Sequence, residues 1–172
     1  MKPPEDFILR FGDRIVNRER PAEVLDVASG SGRHTLFFGR NGCRVVAMER
    51  SGDALTSLRE SVESERLPVS VVQSDVESLS LLPECVDAIV NTFFLCRSLA
   101  QQYAGALRPG GLLYFRTFTT DHHDVLGQAR PRRDFLLEAG ELLRMFKNLE
   151  VLHYEESVEA DRAVATLVGV RM

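Results

Sequence analysis

Two glycines and a set of carboxylates fall at spacings that suit the holding of a nucleoside. The stretch LDVASGSGRH, residues 25–34, places Gly30 and Gly32 on either side of a serine, directly after an apolar run. Glycine lets a backbone bend sharply and approach a ligand with no Cβ in the way. A helix that begins just after such a loop turns its free N–H groups and the positive end of its dipole toward the occupant, which favours an anionic group. Glu49 stands 17 residues beyond Gly32, near the end of a second apolar run, RVVAMER. A carboxylate there can accept hydrogen bonds from both hydroxyls of a ribose. Asp75 closes a third such run and is followed by Val76. The acid suits an exocyclic amine, and the valine packs on a purine ring.

The loop departs from the dinucleotide fingerprint G-x-G-x-x-G, whose third glycine admits close helix–strand packing. Thr35 stands at that place. Asp26, just before the loop, is a poor neighbour for a pyrophosphate and a good one for a cationic amino group. A cofactor with a nucleoside, an α-amino group and an α-carboxylate meets these requirements, which points to S-adenosylmethionine. Two other readings stay open. One is an NAD(P)-binding oxidoreductase, against which Thr35 and the lack of a substrate domain argue. The other is a non-catalytic protein that binds S-adenosylmethionine.

These residues need a scaffold that brings strand ends together, and the chain reads as one. Apolar, β-branched runs alternate with segments of helical period. A helix is predicted over 4–17, with Phe7, Ile8, Phe11 and Ile15 on one face and Glu5 and Asp6 in the first turn, where the dipole favours acids. Strands are predicted over 23–28, 44–50, 69–75, 86–92 and 112–118. Helices fall between them over 32–40, 52–65 and 95–107, the last ending before Pro109-Gly110-Gly111. A polar loop over 119–133 and a helix over 134–146 follow, then strands over 149–156 and 163–171. The last two strands are joined by six residues, too few for a crossover helix, so they pair antiparallel. The earlier ones are parallel and covered on both faces. The expected fold is a doubly wound α/β sheet ending in a reversed strand, with ligands at the carboxyl ends of the strands.

Bulk properties narrow the partners. The 172 residues carry a net charge of −4, which gives no support for nucleic-acid binding. Three cysteines without a C-x-x-C pair argue against a disulfide framework or a zinc site and for a reducing, cytoplasmic setting. No apolar run approaches a membrane span. No repeat or linker divides the sequence, so residues 1–172 are read as a single domain.

The segments VLDVASGSGRH, VVAMER, VVQSDV, VDAIVNTFF and LRPGGLLYFRTF together resemble the class I S-adenosylmethionine-dependent methyltransferases. The later segment DFLLEAGELLRMFKNLEVLHYEE is similar to one found in small bacterial members of the tellurite-resistance type. The resemblance runs from about residue 5 to 172. It implies a Rossmann-like seven-stranded sheet in the order 3-2-1-4-5-7-6 with strand 7 antiparallel. It also implies that Asp26 and the backbone of Ala28, Ser29, Gly30 and Gly32 hold the methionine part of the cofactor. Glu49, with Arg50 beside it, would hold the ribose, Asp75 and Val76 would frame the adenine, and Asn91 would line the sulfur's side of the pocket.

The acceptor is expected to be a small molecule, anionic or soft, such as a thiol or a chalcogen oxyanion. Strand four ends NTFF rather than the [DN]-P-P-[FY] of enzymes that methylate base or amide nitrogens, which argues against DNA, RNA and glutamine side chains. Phe94, Arg97, Arg116 and His122 are the candidate acceptor residues, with Arg97 and Arg116 attracting an anion. No general base is identified. His122-His123-Asp124 reads as a loop rather than a metal site, and a monomer or homodimer is expected.

Overall fold

The computed structural model describes residues 3–172. Its helices are α1 (Asp6–Val16), α2 (Arg33–Arg40), α3 (Gly52–Glu65), α4 (Arg97–Ala106), α5 (Asp121–Asp124) and α6 (Glu141–Met145). The strands are β1 (Glu23–Val27), β2 (Arg44–Glu49), β3 (Val69–Gln73), β4 (Val86–Thr92), β5 (Leu107–Phe118), β6 (Glu150–Val158) and β7 (Ala163–Val170). They form a seven-stranded sheet in the order β3-β2-β1-β4-β5-β7-β6. The first five strands pair in parallel, and β7 runs antiparallel to both β5 and β6. This is the doubly wound α/β architecture that the sequence and its resemblance imply.

The period of two along each strand divides the core between the sheet's faces. Val24, Val45, Ala88, Val90, Leu112 and Tyr114 pack with Phe7, Ile8 and Ile15 of α1 and Phe38 of α2. Leu25, Val27, Ile89, Leu113 and Phe115 face the other way, against Leu99 and Tyr103 of α4 and Leu142 of α6. Leu36, Ala47, Leu55 and Leu58 join α2, β2 and α3. At the amino ends of the strands, fully buried Asp87 accepts hydrogen bonds from Arg18 at 2.9 Å, Arg20 at 2.7 Å, Arg108 at 3.0 Å and the backbone N–H of Glu23 at 2.8 Å.

Three stretches differ from expectation. Strand β5 begins at Leu107, before Pro109-Gly110-Gly111, and its register with β4 jumps between Val86 and Ala88. Gly111 serves that irregularity, since a Cβ there would lie 2.7 Å from the Arg108 carbonyl oxygen. The single helix expected over 134–146 is broken into a 3-10 turn at Arg133–Phe135, an extended Leu136-Leu137 and the short α6. The break has two causes: Leu137 bridges Thr119, and Gly140, at φ 68°, caps α6 with a left-handed residue that an α-helix cannot contain. The polar loop over 119–133 carries α5, whose His122 is buried.

Candidate functional site

The glycine loop lies at the carboxyl end of β1, where Ala28, Gly30 and Gly32 all adopt positive φ, at 53°, 56° and 81°. A non-glycine residue in that region is strained by about 1–2 kcal/mol, so Ala28 marks a backbone shaped by something other than its own preference. The two glycines serve different ends. A Cβ on Gly32 would lie 2.4 Å from Leu58 Cδ1, so its hydrogen lets α2 and α3 close together. A Cβ on Gly30 would meet nothing within 4 Å, and Gly30 faces a cavity of about 880 Å³.

Asp26 sits beneath this loop, 1% exposed. Its Oδ2 accepts a 2.6 Å hydrogen bond from the Thr35 hydroxyl, and its Oδ1 is buried with no partner. The threonine in place of a third glycine therefore holds the acid that precedes the loop. Ser29 Oγ, on the cavity wall, is likewise buried and unpartnered. Burial pushes the Asp26 carboxyl up to about 7, although hydrogen bonds from Thr35 favour its ionised form. A carboxyl raised above its unfolded value stabilises the fold fully below the unfolded value near 4 and loses that contribution as pH climbs through about 7. Asp26→Asn should therefore flatten the loss of stability between pH 5 and 8. At pH 8 its Tm should exceed that of the unmodified protein by on the order of 5 °C. Parallel thermal melts check this, and equal slopes for both proteins count against it.

Glu49 and Asp75 reach the same cavity from the ends of β2 and β3, as do Arg50 and Val76. Glu49 accepts the Gly30 backbone N–H at 3.0 Å on Oε2 and that of Ser51 at 2.8 Å on Oε1. One carboxylate thus fixes the loop and keeps further lone pairs on both oxygens. Asp75 accepts the Glu77 N–H at 3.1 Å and starts a 3-10 turn at Val76–Ser78. Of the ten residues assigned to the cofactor by resemblance, Ala28, Ser29, Gly30, Glu49, Arg50, Asp75 and Val76 line this cavity. Asp26, Gly32 and Asn91 lie behind it and are buried.

Asn91 acts from behind the wall. Its Oδ1 accepts from the buried Tyr103 hydroxyl at 2.9 Å, and its Nδ2 donates to the Phe94 carbonyl at 2.7 Å. This bracket sets the turn that follows β4, where Phe93 takes φ 57°. Phe93, Phe94, Phe118 and His122 form an aromatic side of the cavity, with ring centroids 5.2 Å apart for Phe93–Phe118 and 4.6 Å for Phe118–His122. The guanidinium groups of Arg33 and Arg162 each lie 5.7 Å from the Phe93 ring centroid and also line the cavity.

The arginines expected at the acceptor end are elsewhere. Arg97 donates to both carboxylate oxygens of Glu141, at 2.6 and 3.1 Å, and to the carbonyls of Asp134 and Leu136. It clamps the start of α4 to the broken 133–145 segment and does not line the cavity. Arg116 is paired with Glu5 at 3.4 Å and with Glu159, and it too is absent from the wall. Sequence reasoning missed Arg33 and Arg162. Topology held the signal for Arg162: because β7 is reversed, the turn before it lies at the carboxyl ends of the parallel strands. His34 is buried between the Glu5 N–H and Thr92, and burial lowers it to about 3, so it stays neutral.

Among the described residues no helix is long and apolar enough to cross a membrane. A family model described as a methyltransferase domain matches residues 24–111. A malonyl-[acyl-carrier protein] O-methyltransferase of Enterobacter lignolyticus is 32% identical over 128 residues, which are 70% of this chain and 49% of that protein. The probable S-adenosyl-L-methionine-dependent methyltransferase TehB of Haemophilus influenzae is 28% identical over 146 residues, 80% of this chain and 49% of that one. The chain thus spans about half the length of these curated relatives. The crystal structure of the Haemophilus influenzae TehB superposes with a TM-score of 0.80 at 21% identity, covering 98% of this chain and 63% of that one.

Proposed function

As a member of the methyltransferase-domain family, this chain has S-adenosylmethionine as its cofactor, and on that premise we propose that it methylates a small anionic or soft acceptor. The residues present fit the cofactor. Gly30 leaves its face of the cavity open, Asp26 and Ser29 keep unpartnered buried oxygens at the loop, and Glu49 and Asp75 set carboxylates on the next two strand ends. In this reading Glu49 takes the ribose, Asp75 and Val76 the adenine, and the loop the methionine part.

The observation that carries the acceptor class is the pair of guanidinium groups, Arg33 and Arg162, on the Phe93 ring at the cavity wall, where Arg33 is also paired with Glu5 at 2.6 Å and Arg162 with Asp161 at 3.0 Å and Glu159 at 3.3 Å. Bound S-adenosylmethionine supplies a methyl group on a positively charged sulfur that departs as a neutral thioether. The protein's share is then alignment and dryness rather than acid–base work. The Asn91 bracket fixes the Phe94 backbone, and the three phenylalanines give the cavity an apolar side. Holding an acceptor in line can supply up to roughly 7–11 kcal/mol of the barrier. A neutral acceptor would need a base on the aromatic side, where Asp161 is engaged by Arg162. The malonyl-[acyl-carrier protein] relative is named as an O-methyltransferase, which is compatible with an anionic oxygen acceptor here.

Calorimetric titration with S-adenosylmethionine, S-adenosylhomocysteine and NAD tests the cofactor, and mass spectrometry of thiol, carboxylate and selenite reactions tests the acceptor. The expected result is binding of the first two, no binding of NAD, and methylation of an anionic member. Binding of NAD alone sinks the proposal. Cofactor binding with no transfer to any anion or thiol favours the non-catalytic reading instead.

A further inference from the structure

His122 enters the cavity with half of its hydrogen-bonding capacity committed. The Ala163 backbone N–H donates to its Nδ1 at 3.3 Å, inside the protein. A donor facing Nδ1 requires the lone pair there, which leaves the ring proton on Nε2. That Nε2–H has no partner among the described residues, although His122 is only 5% exposed and lines the cavity. Nε2 is open to the cavity rather than sealed in the protein, so a ligand's acceptor atom can reach it there. The same arrangement limits the chemistry. With Nδ1 occupied and Nε2 carrying the proton, the ring offers no free lone pair to a substrate.

The surroundings define what it meets. The Phe118 ring lies against His122, and Phe93 lies against Phe118 with Arg33 and Arg162 over it. A bare inorganic oxyanion has no use for three phenylalanines, whereas an organic anion covers them with its apolar body.

We propose that His122 recognises the methyl acceptor, its Nε2–H holding a carboxylate oxygen of an organic anion whose apolar body lies on Phe93, Phe94 and Phe118. This rests on the methyltransferase reading above. The lone pair of the attacking carboxylate oxygen forms the new O–C bond as the methyl–sulfur bond breaks toward sulfur. Carboxylate and sulfonium become a neutral ester and a neutral thioether, no proton moves, and a base is not required. His122 acts as a fixed hydrogen-bond donor in this step.

Two substitutions separate this role from a structural one. His122→Asn keeps an oxygen able to accept the Ala163 N–H and removes the far donor. His122→Gln places an amide N–H at about the reach of Nε2. The probe is benzoate, titrated into protein saturated with S-adenosylhomocysteine, with benzamide as the uncharged analogue and selenite as the bare oxyanion. Benzoate should bind more tightly than benzamide, weaken at least about tenfold in His122→Asn and return to within about threefold in His122→Gln. Equal benzoate affinity in His122→Asn and the unmodified protein overturns the proposal, as does binding of selenite without benzoate, or of neither. Failure of the preliminary S-adenosylhomocysteine titration removes the underlying reading instead, so the two failures are told apart.

Discussion

Gly30→Ala is expected to leave the fold standing and to weaken S-adenosylhomocysteine binding by about 10–100-fold, whereas Gly32→Ala should unfold much of the protein's stability margin. Both positions have positive φ, which costs an alanine about 1–2 kcal/mol. At Gly30 that is the whole structural cost, since the added Cβ meets no protein atom. The methyl group goes into the space proposed for the cofactor, and binding suffers. At Gly32 the added Cβ falls 2.4 Å from Leu58 Cδ1 and 2.8 Å from Cδ2. Overpacking of that kind adds about 1–3 kcal/mol, for a total of roughly 2–5 kcal/mol against a usual stability of about 5–15 kcal/mol. Urea unfolding and calorimetry on both variants check the contrast. Unchanged ligand affinity in Gly30→Ala would remove the loop from the cofactor site, and an unchanged urea midpoint in Gly32→Ala would show that Leu58 moves aside.

The second large effect lies at the other end of the sheet. Asp87→Asn should destabilise the fold by about 3 kcal/mol, because it removes a buried charge from three arginines that converge on it. Burial alone would raise the Asp87 carboxyl, but the hydrogen bonds from Arg20 and Glu23 and the charges of Arg20 and Arg108 prevail and hold it below the ordinary range. The sign follows. A depressed carboxyl contributes stability that is present above its unfolded value near 4 and is lost as pH falls through its lower folded value. The gap between Asp87→Asn and the unmodified protein should thus be widest near neutrality and shrink in acid. A gap that stays constant down to pH 2 would mean that packing, not charge, sets the cost.

Much of the sheet was legible because its signals are local and repeated. Apolar runs such as VDAIVNT and LLYFRTF are buried on both faces and lie in the parallel body of the sheet. The link between the last two strands, read as six residues and only 159–162 in the structure, is too short for anything but a hairpin. The segment 134–146 was misread because its leucines keep a helical spacing while a tertiary bridge from Thr119 to Leu137 overrides it. The strand-end wall of the cavity was legible for a related reason, since its residues sit at strand ends that the chain order alone identifies. The acceptor side was not. Whether Arg97 or Arg162 faces the cavity depends on a salt bridge to Glu141 in one case and on the reversal of β7 in the other. Glu141 lies 44 residues from Arg97, and the reversal of β7 is a property of the whole sheet. His122 is intermediate: its position in the loop was visible, but its bond to Ala163 crosses 41 residues.

Strand β4 carries Asp87 and Asn91 in one short extended segment, and four residues of strand span about 13 Å. The arginine cluster and the bracket behind the acceptor wall are therefore fixed to the same rod yet lie beyond the range at which substitutions usually interact. A double variant that alters both ends should show the sum of two independent losses, with no coupling energy between them. Rebuilding the wall around Phe93 and His122 for a different acceptor can then proceed without regard to the opposite end, and the Asp87 cluster serves as a separate reserve that engineers can leave untouched.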